Sequence, residues 1–419
     1  MSGSLQNVVV TGLGPVSAVG CGKDAFWEEL ISGRPGFGPI TVCDPGDSPS
    51  TVAAEVKNFH LKDYLPRGKA LARIHPRPVQ FALAATALAL DDAAIKDLDH
   101  DQTGIAVGTG LANIDLIFKT WTTYSDTGFL LPIASYQVFH HNIACVLTSI
   151  FDLRGSCHTL SSGCNSGLDA LGFAMRQIQV GAAPVMLALG TDCEVIPAVI
   201  AALNASGSLS SKYNDRPEMA SRPFDRDRDG NVIGEGACCL VLESEEHAKA
   251  RGARVYAHLS GYSVRSAGKG RRYSHDNPEQ DPTPSIRAMK DATEQAGLEL
   301  PDVVSANGSA SVRYDLVESQ ALAGFLGESY SKTPVHSIKS MLGQHGAGTS
   351  ALQAAAACLT LHSGKVPGTI NCDNLDERCG DMNLLRTTES LDPQSVLTHA
   401  IGLGGFYYSA GLFQRDDLK

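Results

Sequence analysis

The sequence predicts an α/β protein built as two halves of similar rhythm, residues 1–255 and 256–419. Three observations carry that expectation. Short apolar, strand-like runs alternate with Ala-rich stretches of helical spacing. The alternation starts again after about residue 255. No low-complexity linker divides the 419 residues, so the halves are expected to pack closely. They share no strong sequence repeat, and the duplication is inferred from rhythm alone.

In chain order, Val8-Val-Val10 opens the first strand. It runs into Thr11-Gly-Leu-Gly-Pro-Val-Ser17, which superficially has the look of a dinucleotide-binding loop. The third glycine is missing, Ser17 stands in its place, and no acidic ribose partner follows at the usual spacing of about 20 residues. That reading is therefore set aside. Residues 81–90 are expected to be a helix, and 104–107, 185–189 and 239–242 strands. The second half repeats the pattern, with helices at 286–296, 315–326 and 349–361 and strands at 303–306 and 335–338. The polar stretch 206–222 and the stretch 266–281, rich in Arg, Lys, His, Asn and Pro, are the expected inserts.

Composition narrows the function classes. The chain is 43% hydrophobic and 19% charged, the profile of a soluble globular protein. A net charge of −11 argues against nucleic acid and anionic membranes as partners. No apolar run approaches the roughly 18 residues of a membrane span. The N-terminal residues carry no signal-peptide pattern, and a cytoplasmic location is expected. Eleven cysteines are scattered without CxxC pairs or Cys/His ligand spacing, so neither a metal site nor disulfides are expected.

One cysteine stands apart. Leu160-Ser-Ser-Gly-Cys-Asn-Ser-Gly-Leu-Asp-Ala170 sets Cys164 between Gly163 and Gly167, just before Leu168, Leu171, Phe173, Met175 and Ile178 at roughly helical spacing. A sulfur at a helix N-terminus faces unpaired N–H groups and the positive end of the dipole, which favour thiolate. The local pattern suits a nucleophile and a buried structural cysteine equally well.

Four motifs in order resemble the β-ketoacyl synthases of the thiolase superfamily. They are the opening Val8–Ser17, the stretch around Cys164, Arg222-Pro-Phe-Asp-Arg-Asp-Arg-Asp-Gly-Asn-Val-Ile-Gly-Glu-Gly-Ala237, and Gly402-Leu-Gly-Gly405. Their flavour is similar to the ketosynthase and chain-length-factor subunits of bacterial type II polyketide synthases. The resemblance implies the five-layer α-β-α-β-α thiolase fold and a homodimer or a heterodimer with a related subunit. It implies an acyl carrier protein as partner and no cofactor or metal, the substrate riding on the carrier's phosphopantetheine arm. It makes Cys164 the nucleophile that takes the acyl group. Two histidines in such enzymes usually bond the malonyl thioester carbonyl as it becomes an enolate oxygen.

Both histidine positions depart from the pattern. The usual His-Gly-Thr-x-Thr is Asn307-Gly-Ser-Ala-Ser311 here, and the usual Lys-Ser-Met-x-Gly-His is Lys339-Ser-Met-Leu-Gly-Gln344. His345 follows at once, so a one-residue slip would bring it into the site. The ungapped alignment prefers Gln344, because Ala351-Leu-Gln353 then matches a small residue, an apolar one and the family's Glu. Asn and Gln still donate hydrogen bonds but do not act as acid or base near neutral pH. Losing a charge-stabilising donor lowers rate roughly 10²–10³-fold, so standard malonyl decarboxylation is not expected.

Further roles follow from the resemblance residue by residue. The N–H groups of Cys164 and Leu403 would form the oxyanion hole, with Leu403 in place of the usual gating Phe. Ser309 and Ser311 would contact the pantetheine arm, and Leu403 and Phe406 the substrate. Lys339 would organise the site electrostatically or pair with Glu318 or Asp315. Asp225, Arg228, Asp229 and Glu235 read as structural. Arg67, Lys69, Arg73 and Arg77 would dock the acidic carrier, and Arg265, Lys269, Arg271 and Arg272 form a second basic cluster. The expected function is acyl loading onto Cys164 and C–C bond formation by a variant route, such as aldol-type cyclisation or transfer to a non-malonyl nucleophile. The alternatives are an ordinary decarboxylating ketosynthase and a non-catalytic subunit like a chain-length factor.

Overall fold

The structure is a computed structural model and describes residues 5–268 and 281–416. In the first half, β1 (Val8–Ser17), β2 (Thr103–Gly108), β3 (Cys157–Leu160), β4 (Val185–Cys193) and β5 (Ile233–Ser244) pair in the order β3-β2-β4-β5-β1. In the second, β6 (Ala257–Ser266), β7 (Val303–Ser305), β8 (Val335–His336), β9 (Ser395–Ile401) and β10 (Tyr407–Gln414) pair as β8-β7-β9-β10-β6. Each half has three parallel strands followed by two antiparallel ones, contributed in the same chain order. The duplication that rhythm suggested is thus explicit in the topology. The half-sheets meet where β1 pairs antiparallel with β6, at Val9–His258 and Val10–Ala257.

Helices complete five layers. α1 (Arg77–Ala93) covers the outer face of the first sheet, and beside that half runs α2 (Ile114–Thr127). α3 (Ser166–Gln179) and α6 (Gly346–Ser363) lie between the sheets. α4 (Thr283–Gln295) and α5 (Tyr314–Leu326) cover the second sheet. The largest core cluster joins Leu171, Met175 and Ile178 of α3 to Leu352 of α6, Met186 of β4 and Phe413 of β10. Burial on both faces is what makes α6 apolar nearly all round, while α3 keeps Arg176 on an exposed side.

The glycines that looked like a nucleotide loop do a different job. Val8–Ser17 is one continuous strand, buried along its whole length. A Cβ on Gly12 would lie 2.3 Å from the Ala89 carbonyl oxygen, and one on Gly14 2.0 Å from that of Ala85. Bare glycine lets the Ala-rich α1 sit directly on the strand. Gly167 and Gly190 do the same for the central layer, where added Cβ atoms would lie 2.2 Å and 2.3 Å from the Ala347 carbonyl oxygen. That contact brings the starts of α3 and α6 together, and with them Cys164 and Gln344.

Candidate active site

Cys164 sits in a single 3-10 turn, Gly163–Asn165, that runs straight into α3. Gly163 has φ +71°, the left-handed turn that its lack of a side chain permits. Ser166 Oγ accepts from the Ser162 N–H at 2.8 Å and donates to the Gly163 carbonyl at 2.7 Å, closing the turn on itself. Asn165 Nδ2 donates to Ser409 Oγ at 2.8 Å and the Ala400 carbonyl at 3.2 Å, which ties the turn to the second half.

The helix-terminus position is as expected, and burial works against the thiolate there. Burial pushes the Cys164 thiol up to about 11, and the nearby Glu194 carboxylate adds to that. Lys339 and the Leu403 N–H, which bonds the sulfur, pull the other way without overcoming it. Burial of the sulfur raises the thiol, with Glu194 adding to the effect.

Asn307 follows β7 and is clamped from α5. Glu318 accepts the N–H groups of Asn307 and Gly308 at 2.6 and 2.7 Å, and Asp315 accepts those of Ser309 and Phe224 at 2.9 and 2.8 Å. The Asn307 side chain is committed on its oxygen side. Oδ1 accepts from Lys339 Nζ at 2.6 Å and from the Ile401 N–H at 3.1 Å. The amide NH₂ is what remains for the cavity that Asn307 lines.

Lys339 is therefore an orienting donor to Asn307, with no direct ion pair to Glu318 or Asp315 among the described residues. Glu318 is taken by His399 Nδ1 at 2.7 Å, and Arg228 lies 3.8 Å from Asp315. Burial lowers the Lys339 ammonium to about 8.

Gln344, not His345, lines the cavity with Cys164 and Asn307. Its Oε1 is buried without a hydrogen-bond partner among the described residues. The His345 ring packs against Gly234 and Gly236, so close that a Cβ on Gly236 would lie 3.1 Å from Nε2. Burial lowers its pKa to about 3, so the ring is neutral. Gln353 lies outside the cavity. Its Nε2 donates to the carbonyls of Ser305, Ala306 and His399 at 2.6, 3.1 and 3.2 Å, a junction that a carboxylate would repel.

The cavity at Cys164 is small, about 40 Å³, and is walled also by Glu194, Leu203, Leu209, Ser309, Tyr314 and Leu403. Leu403 is 41% exposed, at its mouth. Gly404 there has φ +82°, and its N–H donates to Tyr314 Oη at 2.7 Å. Ser311 lines a neighbouring recess of about 200 Å³, which shares Asn231 and Tyr314 with the first cavity. Phe406 is not on the cavity wall, because the Gly404 turn brings its ring over that glycine instead.

Arg67, Lys69 and Arg73 are exposed. Arg77 is not a free docking charge: it bonds the buried Glu235 at 2.5 Å and the Val56 carbonyl at 2.9 Å. A buried carboxylate needs that partner more than a surface does. The other residues of the central signature that read as structural are likewise paired within the fold. Arg222 pairs with Asp225 at 3.1 Å, Arg228 with Asp376 at 2.7 Å, and Asp229 accepts from Ser210 Oγ at 2.7 Å. In the second basic cluster Arg265 is bonded to Asp291, while Lys269, Arg271 and Arg272 lie outside the described residues. Glu194 was not singled out in the sequence; its only signal there is an acidic residue at the end of an apolar strand.

A duplicated five-layer α/β body, with a cysteine at a helix start between its halves, defines the thiolase-fold class. The chain belongs to the β-ketoacyl synthase family. Residues 5–248 match the model of the β-ketoacyl synthase N-terminal domain, and 256–373 that of the C-terminal domain. It is 33% identical over 411 residues to a 3-oxoacyl-[acyl-carrier-protein] synthase 2 of Synechocystis sp., covering 96% of each chain. It is 34% identical over 417 residues to a putative polyketide β-ketoacyl synthase 1 of Streptomyces halstedii, again over 96% of each. Among solved structures it resembles a type II polyketide ketosynthase in complex with its acyl-carrier protein and bound to a hexaketide. That match has a TM-score of 0.88 and 29% identity, over 98% of this chain and 100% of the other. The ishigamide ketosynthase/chain length factor matches at TM-score 0.88 and 27% identity, with the same coverage. No described helix is long and apolar enough to cross a membrane.

Proposed function

We propose that this chain takes an acyl group from a carrier-protein thioester onto Cys164 and forms a C–C bond without standard malonyl decarboxylation. The observation that carries the reading is the pair of amides, Asn307 and Gln344, sharing the Cys164 cavity where the family has histidines. With its oxygen held by Lys339 and Ile401, Asn307 presents a donor. Such a donor suits a thioester carbonyl oxygen but moves no proton. The pantetheine arm would enter by the Ser311 recess and pass Ser309. Arg67, Lys69 and Arg73 would meet the acidic carrier, the class of partner seen on the similar type II ketosynthase. The N–H groups of Cys164 and Leu403 would hold the oxyanion.

Intact-mass measurement of the purified chain with acyl-loaded and malonyl-loaded carrier protein tests this. The expected result is an acyl adduct on Cys164 with the malonyl carrier unchanged; loss of carbon dioxide with chain extension would restore the ordinary ketosynthase. One observation favours a second reading, a partner subunit like a chain-length factor. A resting thiol beside a cavity of about 40 Å³ leaves little room for an acyl chain. Under that reading Cys164→Ala leaves the assembled pathway fully active.

A further inference from the structure

Among the described residues, Glu194 is the one carboxyl group on the wall of the Cys164 cavity. It follows the last residue of β4 and is 9% exposed, its N–H fixed to the Gly234 carbonyl at 3.0 Å. Its side chain accepts from the Gly346 N–H, at the first residue of α6. Asp192, two residues earlier, shows what a purely architectural carboxylate looks like here. It accepts from Thr109 Oγ1 and Ala347 N–H at 2.8 Å and from Gly110 and Leu111 N–H at 2.9 Å, leaving little capacity for anything else. Glu194 has a backbone donor on one side and the reacting cavity on the other.

We infer that Glu194 is the proton shuttle for acyl loading, taking the Cys164 proton and passing it to the departing pantetheine sulfur; this rests on the loading reading above. As Sγ attacks the thioester carbonyl carbon, the S–H proton moves to the Glu194 carboxylate, directly or through one water, and the new C–S bond forms. The tetrahedral intermediate collapses by breaking its bond to the pantetheine sulfur. That sulfur leaves with the bonding pair and receives the proton from Glu194. The carboxylate is regenerated, and atoms and charge balance.

The electrostatics agree with the geometry. Burial first, and then Asp192, push the Glu194 carboxyl up to about 8, while Lys339 and the Gly346 N–H restrain it. A carboxylate raised to about 8 is a stronger base than an ordinary one and so takes a proton from a thiol at about 11 more readily, where the amides offer nothing. Of the other described groups facing it, only Lys339 titrates in the same range. His345 is neutral at working pH, and the Cys193 thiol is pushed far up by burial. Tyr314 from α5 is held by the Gly404 N–H. Lys339 titrates in the same range and its charge restrains both groups, so the comparison with Glu194→Gln is what separates the two. Only the ionised carboxylate accepts the proton, so loading should rise about tenfold per pH unit below 8 and level off above it.

The test compares the full-length wild type with Glu194→Gln, which keeps an acceptor for the Gly346 N–H but takes no proton. Acyl loading from the octanoyl thioester of N-acetylcysteamine is followed by intact mass between pH 6 and 9.5. Alkylation of the Cys164 peptide by iodoacetamide is followed at pH 9. The expected result is loading slowed about 100-fold and a lost inflection near pH 8. Alkylation should be as fast as in the wild type or faster, since a neighbouring negative charge is gone. Wild-type loading in E194Q, or loading and alkylation falling together, overturns the shuttle and leaves Glu194 as an anchor of α6. No adduct on wild type overturns instead the loading reading on which the shuttle rests.

Discussion

At the scale of single residues, the site shows how burial and partners decide what a side chain does. Cys164 and Glu194 are both pushed towards their neutral forms by the same dry surroundings, and neither state is visible in a motif. Asn307 illustrates the reverse. Its identity was legible from the Asn307-Gly-Ser motif, but its role as donor depends on Lys339, 32 positions away in sequence, capping its oxygen. Restoring the ring donors tests the argument. Asn307→His with Gln344→His should release carbon dioxide from malonyl carrier protein at least about 100-fold faster than wild type, measured as radiolabel lost from the carrier. No gain would mean that the amides are not what withholds decarboxylation. Gln344 rather than His345 lines the cavity because Gly234 and Gly236 leave a slot that the imidazole fills.

At the scale of elements, nearly every strand and helix expected from periodicity is present, with ends moved by a few residues. The helix expected at 349–361 starts earlier, at Gly346, because the Ala347 N–H is held by Asp192 at 2.8 Å. The apolar pattern reports which face is buried, but not contacts that begin a helix early. The glycines of β1 make the clearest case. A Thr-Gly-Leu-Gly string looks like a turn until α1 is laid against it. Gly14→Ala should destabilise the fold by about 1–3 kcal/mol or more, seen as a lower midpoint in urea, since its Cβ would lie 2.0 Å from a backbone oxygen. An unchanged midpoint would show that α1 moves aside without penalty.

At the scale of the whole molecule, one face is unfinished. α2 has no buried residue, and it exposes Ile117, Phe118, Trp121 and Tyr124; Phe129, Leu131, Tyr136 and Phe139 continue the patch. Trp121 is 67% and Tyr136 70% exposed, more apolar surface than an isolated chain normally leaves to water. β3 ends the sheet beside this half, with no strand on its outer edge among the described residues. An open edge next to an apolar helix suits a second ketosynthase-fold chain, pairing sheet to sheet as α2 is covered. Light scattering should give twice 44.2 kDa for the purified chain, or for its complex with a related subunit, and Trp121→Glu should halve it. A monodisperse monomer with no related partner would refute this surface as an interface.

Sequence alone determined the fold class, the duplicated rhythm and the family, and it marks Cys164 before a helix and amides at Asn307 and Gln344. Each is written locally, in periodicity or in short runs of residues. Tertiary structure decided that Gln344 and not His345 lines the Cys164 cavity, that Arg77 serves Glu235, that burial pushes the Cys164 thiol up, and that Glu194 lies on the same cavity wall. These depend on which distant groups share a small dry volume. Charge and hydrogen bonding there are set by neighbours brought together from both halves, and no local pattern records them.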